Sequence, residues 1–198
     1  MSLTRRWQEV PATLTEPITL AAAKLHLRVE ITDDDALILS LITAARRYLE
    51  RRTGYWMVAR SAIMECNGFP LRGGDIVFPV RPVNSVQSVS YLPDGATALV
   101  TLASSAYRLV NTGTLVHRLR LPYGTTEWQT TGFAEDAVRV AFTAGDNRVE
   151  ENMVQAALLL VGHWYENREA AVVGTISGPV AFTIDALAGM SAVGDLAL

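Results

Sequence analysis

The amino-acid sequence predicts an α+β fold: a helical core of about three helices with an antiparallel β insertion and a C-terminal docking tail. Three observations predict it. Apolar residues recur at helical spacing towards both ends of the chain. The middle third instead alternates with period two between glycine and proline turns. The end of the chain is apolar but interrupted by glycine, which is typical of a segment that docks on another surface.

These patterns divide the sequence into four segments. They are an N-terminal helical pair at 17–56, the β insertion at 57–146, a long helix at 147–173 and the docking tail at 174–198. The chain has 198 residues, of which 49% are hydrophobic. A chain of this size can therefore bury a substantial core without disulfides or a structural metal.

The helices carry recognisable start and stop signals. Thr19 can cap a helix over 20–27, because a threonine oxygen accepts a hydrogen bond from the first helical turn. A second helix is predicted over 33–53, where an apolar stripe ends at Gly54, a residue type that commonly follows a helix. A long amphipathic helix is predicted to begin at Val149, with acidic residues in its first turn.

The start of the second helix is strongly acidic. Thr32 is predicted as its N-cap, with Asp35 three residues later in a capping box. Asp33 and Asp34 add negative charge at the positive end of the helix dipole. A carboxylate cluster could also hold Mg²⁺, but capping accounts for all of these residues. We therefore expect a helix cap here and no metal site.

Between Tyr55 and Gly145 the sequence predicts about seven short strands. Turn signals separate them, among them Pro93-Asp94-Gly95, in which proline presets φ and glycine accepts a positive φ. We expect the strands to form a small antiparallel sheet or a partial barrel.

Composition and charge argue against several classes of protein. The net charge is −3, whereas a nucleic-acid-binding protein normally carries a strongly basic face. The single cysteine, Cys66, cannot form an internal disulfide or a thiolate metal site, which predicts a chain made in a reducing cytoplasm. The N-terminus lacks the features of a signal peptide. The longest apolar run, 156–161, is far too short to cross a bilayer, so no membrane association is expected.

Residues with catalytic potential lack the neighbours that catalysis requires. His163, beside Trp164, would need more ligands at helical spacing to hold a metal, and Glu166 alone does not supply them. Serine and cysteine side chains have no triad context, and the segment 72–75 lacks the lysine of a phosphate-binding loop. The sequence therefore predicts a protein that is not an enzyme and uses no metal or cofactor.

Two blocks of the sequence resemble the head–tail connector (adaptor) family of tailed phages. One is Pro17–Val29, with the acidic helix start and the segment 44–50 that follow it. The other is the segment 156–169, whose most specific part is Gly-His-Trp-Tyr-Glu-Asn-Arg-Glu at 162–169. The β region resembles the longer members from prophages and gene transfer agents. The resemblance implies a structural virion protein that forms a ring, a dodecamer in the virion, at the head–tail junction after synthesis in the host cytoplasm.

The resemblance also implies partners for the ring. The portal protein would lie on one side and a stopper or tail-completion protein on the other, with DNA passing non-specifically through the channel that the ring lines. The acids at 33–35 would then be channel acids that repel DNA and keep it sliding.

An interface in the ring or with the portal is expected to use the long helix and the tail. Aromatic and arginine residues are enriched at interface hot spots. The expected interface residues are Trp164, Tyr165, Asn167, Arg168, Glu169, Phe182, Ile184 and Leu187. Core packing is the alternative for Trp164, and a solvated polar helix end is the alternative for Arg168 and Glu169.

Arg46, Arg47, Arg51 and Arg52 form a basic end on the second helix. Contact with nucleic acid is one interpretation. Compensation of the helix dipole and pairing with acids of a neighbouring subunit fit the pattern better.

Two functions of other classes are alternatives to the connector. One is a small ligand- or carbohydrate-binding module that uses the β lobe, and the other is a hydrolase with an unrecognised site. Rings or density bound to a purified portal in negative-stain microscopy would favour the connector over both alternatives.

Overall fold

The computed structural model describes residues 5–111, 116–146, 148–168 and 186–187. The helices are α1 (Leu20–Leu27), α2 (Asp35–Thr53) and α3 (Glu151–Glu166). The strands are β1 (Arg5–Glu9), β2 (Arg60–Cys66), β3 (Ile76–Val77), β4 (Val83–Tyr91), β5 (Val100–Thr101), β6 (Arg108–Val110), β7 (Arg118–Arg120) and β8 (Val138–Ala144). This combination of helices and antiparallel strands confirms the predicted α+β class.

The chain divides into two compact units. The β unit comprises residues 1–13 and 59–145, and the helical unit comprises residues 14–58 and 146–198. Each unit is therefore built from two separate stretches of sequence.

The helical unit packs α1, α2 and α3 around one apolar core. Ile38, Ile42 and Leu49 of α2 and Met153 and Leu160 of α3 are completely buried. Their spacing places them on one face of each helix, and burial of such a side chain stabilises the fold by about 1.5–3 kcal/mol. Across the described residues, no helix combines the length and the apolar character needed to cross a membrane.

Two of the predicted helix signals are confirmed. The Oγ1 atom of Thr19 accepts a hydrogen bond from the backbone N–H of Ala22 at 3.1 Å, so Thr19 caps α1. Gly54 ends α2 with φ of 67°, and its N–H donates to the carbonyl of Glu50 at 3.0 Å. A side chain with a Cβ atom adopts that backbone conformation only with strain, which explains the glycine.

The prediction of Thr32 as the N-cap of α2 is wrong. The helix begins at Asp35, and Asp34 is the N-cap without a side-chain capping bond. The carboxylates form tertiary ion pairs instead, Asp35 with Lys24 at 2.6 Å and Asp34 with Arg168 at 2.7 Å. The carboxylate of Asp35, which a capping box would turn back to the N-cap, pairs with Lys24 instead.

The described residues of the β unit form two antiparallel sheets in place of the predicted single sheet or partial barrel. The larger sheet has the strand order β1-β2-β8-β4-β5, and the smaller has the order β3-β7-β6. The central strand β8 alternates between buried and half-buried residues. Its Phe142 packs against Phe78 with ring centroids 4.9 Å apart.

The edge strand β1 was not predicted from the sequence. Its residues, Arg-Arg-Trp-Gln-Glu, are almost all polar, so no apolar alternation marks it. It pairs with β2 in antiparallel register, with Trp7 opposite Met64. The strand therefore forms because β2 offers an edge, and its exposed outer side tolerates charged residues.

Candidate interaction site on the helical unit

Three side chains tie the end of α3 to the start of α2. The Nη2 atom of Arg168 donates to Oδ2 of Asp34 at 2.7 Å, and the hydroxyl of Tyr165 donates to the same oxygen. The guanidinium of Arg168 also lies over the ring of Tyr165, 4.4 Å from its centroid, which is cation–π geometry. We call these three residues the clasp. The polar groups of Arg168 and Tyr165 thus have partners within the chain, and their interface role stays a prediction.

The clasp favours the charged form of its acid. Hydrogen bonds from Arg168 and then from Tyr165 hold the pKa of the Asp34 carboxyl below its usual range. The same bond to Asp34 raises the pKa of the Tyr165 hydroxyl, so the phenol stays protonated and donates. At neutral pH the clasp is an ion pair supported by a neutral phenol.

We expect the Asp34 carboxyl to titrate below the ordinary aspartate pKa of ~3.9. Because the folded-state pKa is depressed, the clasp stabilises the fold above that pH. It loses this contribution as the pH falls through the folded-state pKa. Side-chain carboxyl NMR would measure the value, and Arg168→Ala should raise it more than Tyr165→Phe does. If Arg168→Ala leaves the pKa of Asp34 unchanged, the clasp is contradicted.

A second polar network lies inside the helical unit and centres on Arg46, which is only 4% exposed. Its Nε and Nη2 atoms donate to the carboxylate of Glu16 at 2.8 and 3.1 Å. Its Nη1 atom donates to Glu50 at 2.9 Å, and Glu50 also accepts from the backbone N–H of Met57 at 2.9 Å. The network fixes the segments before α1 and after α2 to the middle of α2. The sequence pattern had grouped Arg46 with the exposed basic end of the helix.

An open groove of about 540 Å³ lies beside the second half of α2. Its lining consists of Ala44, Arg47, Tyr48, Arg51, Arg52 and Trp164. The α2 members recur at intervals of three or four residues, so they share one face of the helix. That spacing is visible in the sequence, but it was interpreted only as a basic helix end.

Trp164 belongs both to the groove and to the core. Its ring meets the ring of Tyr48 edge-on, with centroids 6.1 Å apart and planes at 89°. Part of the side chain packs on the apolar core, and part lines the groove. Trp164 therefore packs on the core and also lines the groove, where the predicted interface contact could form.

The structure describes some of the other predicted interface residues but not all of them. Asn167 donates from Nδ2 to the carbonyl of His163 at 2.7 Å and closes the last turn of α3. Leu187 packs on the helical core, and its carbonyl accepts from Asn152 at 3.0 Å. Outside the described residues lie Glu169, Phe182 and Ile184. In the part of the chain that is described, no three His, Cys, Asp or Glu side chains are grouped to hold a metal ion.

Comparison of the sequence with protein families gives one match. A family model described as phage gp6-like head-tail connector protein matches residues 17–111, which span the helical pair and more than half of the β unit. No curated protein matches the chain.

Solved structures with the same fold come from particles of a gene transfer agent (GTA). A chain from the neck of an empty GTA particle is 23% identical with a TM-score of 0.73, over 94% of this chain and 95% of that chain. A chain from the virion of the native particle is 22% identical with a TM-score of 0.72, over 94% of both chains. A chain from the neck of the native particle, computed with C12 symmetry, is 23% identical with a TM-score of 0.66, over 94% of both chains. At such identities these likenesses establish the fold.

Proposed function

This chain is a member of the phage head–tail connector family, and from that membership we propose that it is a structural protein of the virion neck. The observation that carries the proposal is the agreement in fold, over 94% of the chain, with a protein from the neck of a GTA particle. The family model stops at residue 111. The likeness in fold extends through β8 and α3, so both units support the same assignment.

The finer proposal is a ring at the head–tail junction. The neck of the native GTA particle was computed with C12 symmetry, which supports twelve copies around one axis. The ring would join the portal of the head to the tail, with a stopper or tail-completion protein on its other side. Its work would be mechanical, through surface complementarity around a channel, and not catalytic.

We assign the ring-forming core to segments 17–56 and 147–173, contacts with neighbours to the insertion 57–146, and portal docking to the tail 174–198. The clasp and the buried Arg46 network support the first assignment. The clasp holds α3 against α2, and the Arg46 network holds the segments before α1 and after α2 against α2. The core therefore keeps one arrangement, as a subunit interface requires.

The channel would carry DNA without binding it tightly. The chain has a net charge of −3, which opposes adhesion of a polyanion. At the start of α2, Asp34 and Asp35 are each paired with a cation of the same chain. The channel proposal therefore rests on the net charge of the chain and not on the acids at 33–35.

We expect the purified chain to form rings on its portal protein. Negative-stain electron microscopy of the mixture should show added ring density on the portal axis, with portal alone and chain alone as controls. Mass photometry of the same sample should show a mass increase of about one ring per portal. A chain that stays monomeric and leaves the portal bare would contradict the proposed function.

A further inference from the structure

We propose that each copy inserts the loop between α1 and α2, residues 29–33, into the arginine-lined groove of the next copy, and that this contact closes the ring. The inference rests on the proposed ring and deepens it. A ring with cyclic symmetry needs two different and complementary patches on every copy, because its contacts are heterologous. Both patches lie in the helical unit.

The groove offers positive charge beside an aromatic wall. Arg47 and Arg51 are exposed. Glu16 and Glu50 are both bound by Arg46. Within the described residues neither Arg47 nor Arg51 forms an ion pair. Trp164 supplies the apolar wall, and tryptophan and arginine are the residue types that dominate interface hot spots.

The loop has the complementary character. Its Glu30 and Asp33 are exposed acids, and Ile31 between them is 60% exposed. An isoleucine flanked by carboxylates matches a groove in which an aromatic ring is flanked by guanidinium groups. Burial of the isoleucine would supply affinity, while the charges would set the orientation of the contact.

The loop is held in shape before any partner binds. The Nζ atom of Lys24 donates to the carbonyl of Ile31 at 2.7 Å and pairs with Asp35 at 2.6 Å. Arg28 caps α1 in the left-handed conformation, φ 58°, and the N–H of Val29 donates to the carbonyl of Lys24 at 3.0 Å. A loop fixed in this way loses little conformational entropy on binding, which favours association.

The loop cannot fill the groove of its own chain. It precedes Asp35, whereas the arginines of the groove extend to Arg51, about 24 Å further along the helix axis at 1.5 Å per residue. Lys24 fixes the loop at the start of α2. We therefore assign the loop to the groove of another copy.

Charge reversal tests the contact. The loop variant carries Glu30→Arg and Asp33→Arg, and the groove variant carries Arg47→Glu and Arg51→Glu. Each should reduce ring-bearing portals by about tenfold or more, because like charges then face each other. Arg148→Glu, at an exposed position outside the groove, should leave assembly unchanged. Thermal unfolding of each variant checks that it folds.

The decisive experiment mixes the loop variant and the groove variant in equal amounts and measures whether rings form. The loop variant keeps a positive groove and gains a positive loop, and the groove variant keeps a negative loop and gains a negative groove. Alternating copies are therefore complementary at every contact, and rings should return. The chain with all four substitutions should also assemble.

Other outcomes overturn the inference. If the folded variants assemble normally, or if the mixture stays defective, the loop does not occupy the groove. If only the groove variant is defective, the groove serves an acidic surface of the portal. Failure of the wild-type chain to form rings would instead overturn the proposed function.

Discussion

Replacement of Arg46 by methionine is expected to lower the free energy of unfolding by about 3–5 kcal/mol, because it removes the cation shared by the buried Glu50 and the half-buried Glu16. Arg46 is 4% exposed and is the shared partner of Glu16 and Glu50. Urea unfolding followed by circular dichroism would measure the change. Arg47→Met, one residue along and exposed, is the matched control and should change stability by no more than about 0.5 kcal/mol.

The pH dependence of the unfolding free energy shows whether Arg46 stabilises the fold through its ion pairs or only through packing of its aliphatic stem. Burial raises the pKa of the Glu16 carboxyl, but the hydrogen bonds from Arg46 and Thr43 outweigh it and hold the pKa below its usual range. The depressed pKa means that this stabilisation is present above the ordinary glutamate value of ~4.3 and is lost as the pH falls through the folded-state value. The difference in stability between the wild type and Arg46→Met should therefore narrow in acid. Equal losses from Arg46→Met and Arg47→Met would contradict the network.

Phe142→Ala is expected to destabilise the β unit by about 3–5 kcal/mol through loss of apolar contacts and the cavity left behind. Phe142 is completely buried in β8. It lies opposite Ala62 of β2 and Val86 of β4 in the sheet register, and it packs on Phe78. A loss of this size is a large part of the 5–15 kcal/mol that stabilises a typical domain.

The same substitution at an exposed position is the control for Phe142→Ala. Phe133 is 93% exposed, so Phe133→Ala should change the unfolding free energy by about 0.5 kcal/mol or less. Hydrogen exchange should show the loss of protection from Phe142→Ala at the amides of β2, β4 and β8. If both phenylalanine variants behave alike, the larger sheet does not depend on the packing around β8.

The resemblance to the connector family that was drawn from Pro17–Val29 is confirmed by the family model over residues 17–111. The block at 162–169 lies outside the matched residues. The ring, the portal contact and the passage of DNA remain proposals. They concern contacts between molecules, and the fold of one chain does not determine which of its surfaces form such contacts.

Local patterns were sufficient for several elements. The range of α1, the end of α2 at Gly54 and the short strands of the middle third agree with the structure. Each depends on residues within one or two turns or along one strand, so the information lies in neighbouring positions. The polar strand β1 shows the limit, since its pairing with β2 involves residues about sixty positions away.

The roles of the charged residues were decided by tertiary structure. Arg46 and Arg47 are neighbours in the sequence, yet Arg46 is in the interior, where it binds Glu16 30 residues away, and Arg47 is exposed. Asp34 matched a helix cap, but its partner Arg168 is 134 residues away. Helix and strand periodicity is a property of adjacent residues, whereas an ion pair depends on packing that brings distant segments together. The amino-acid sequence therefore predicted the helical core and its family, and only the folded chain separated the arginines that hold the core together from those that line the groove.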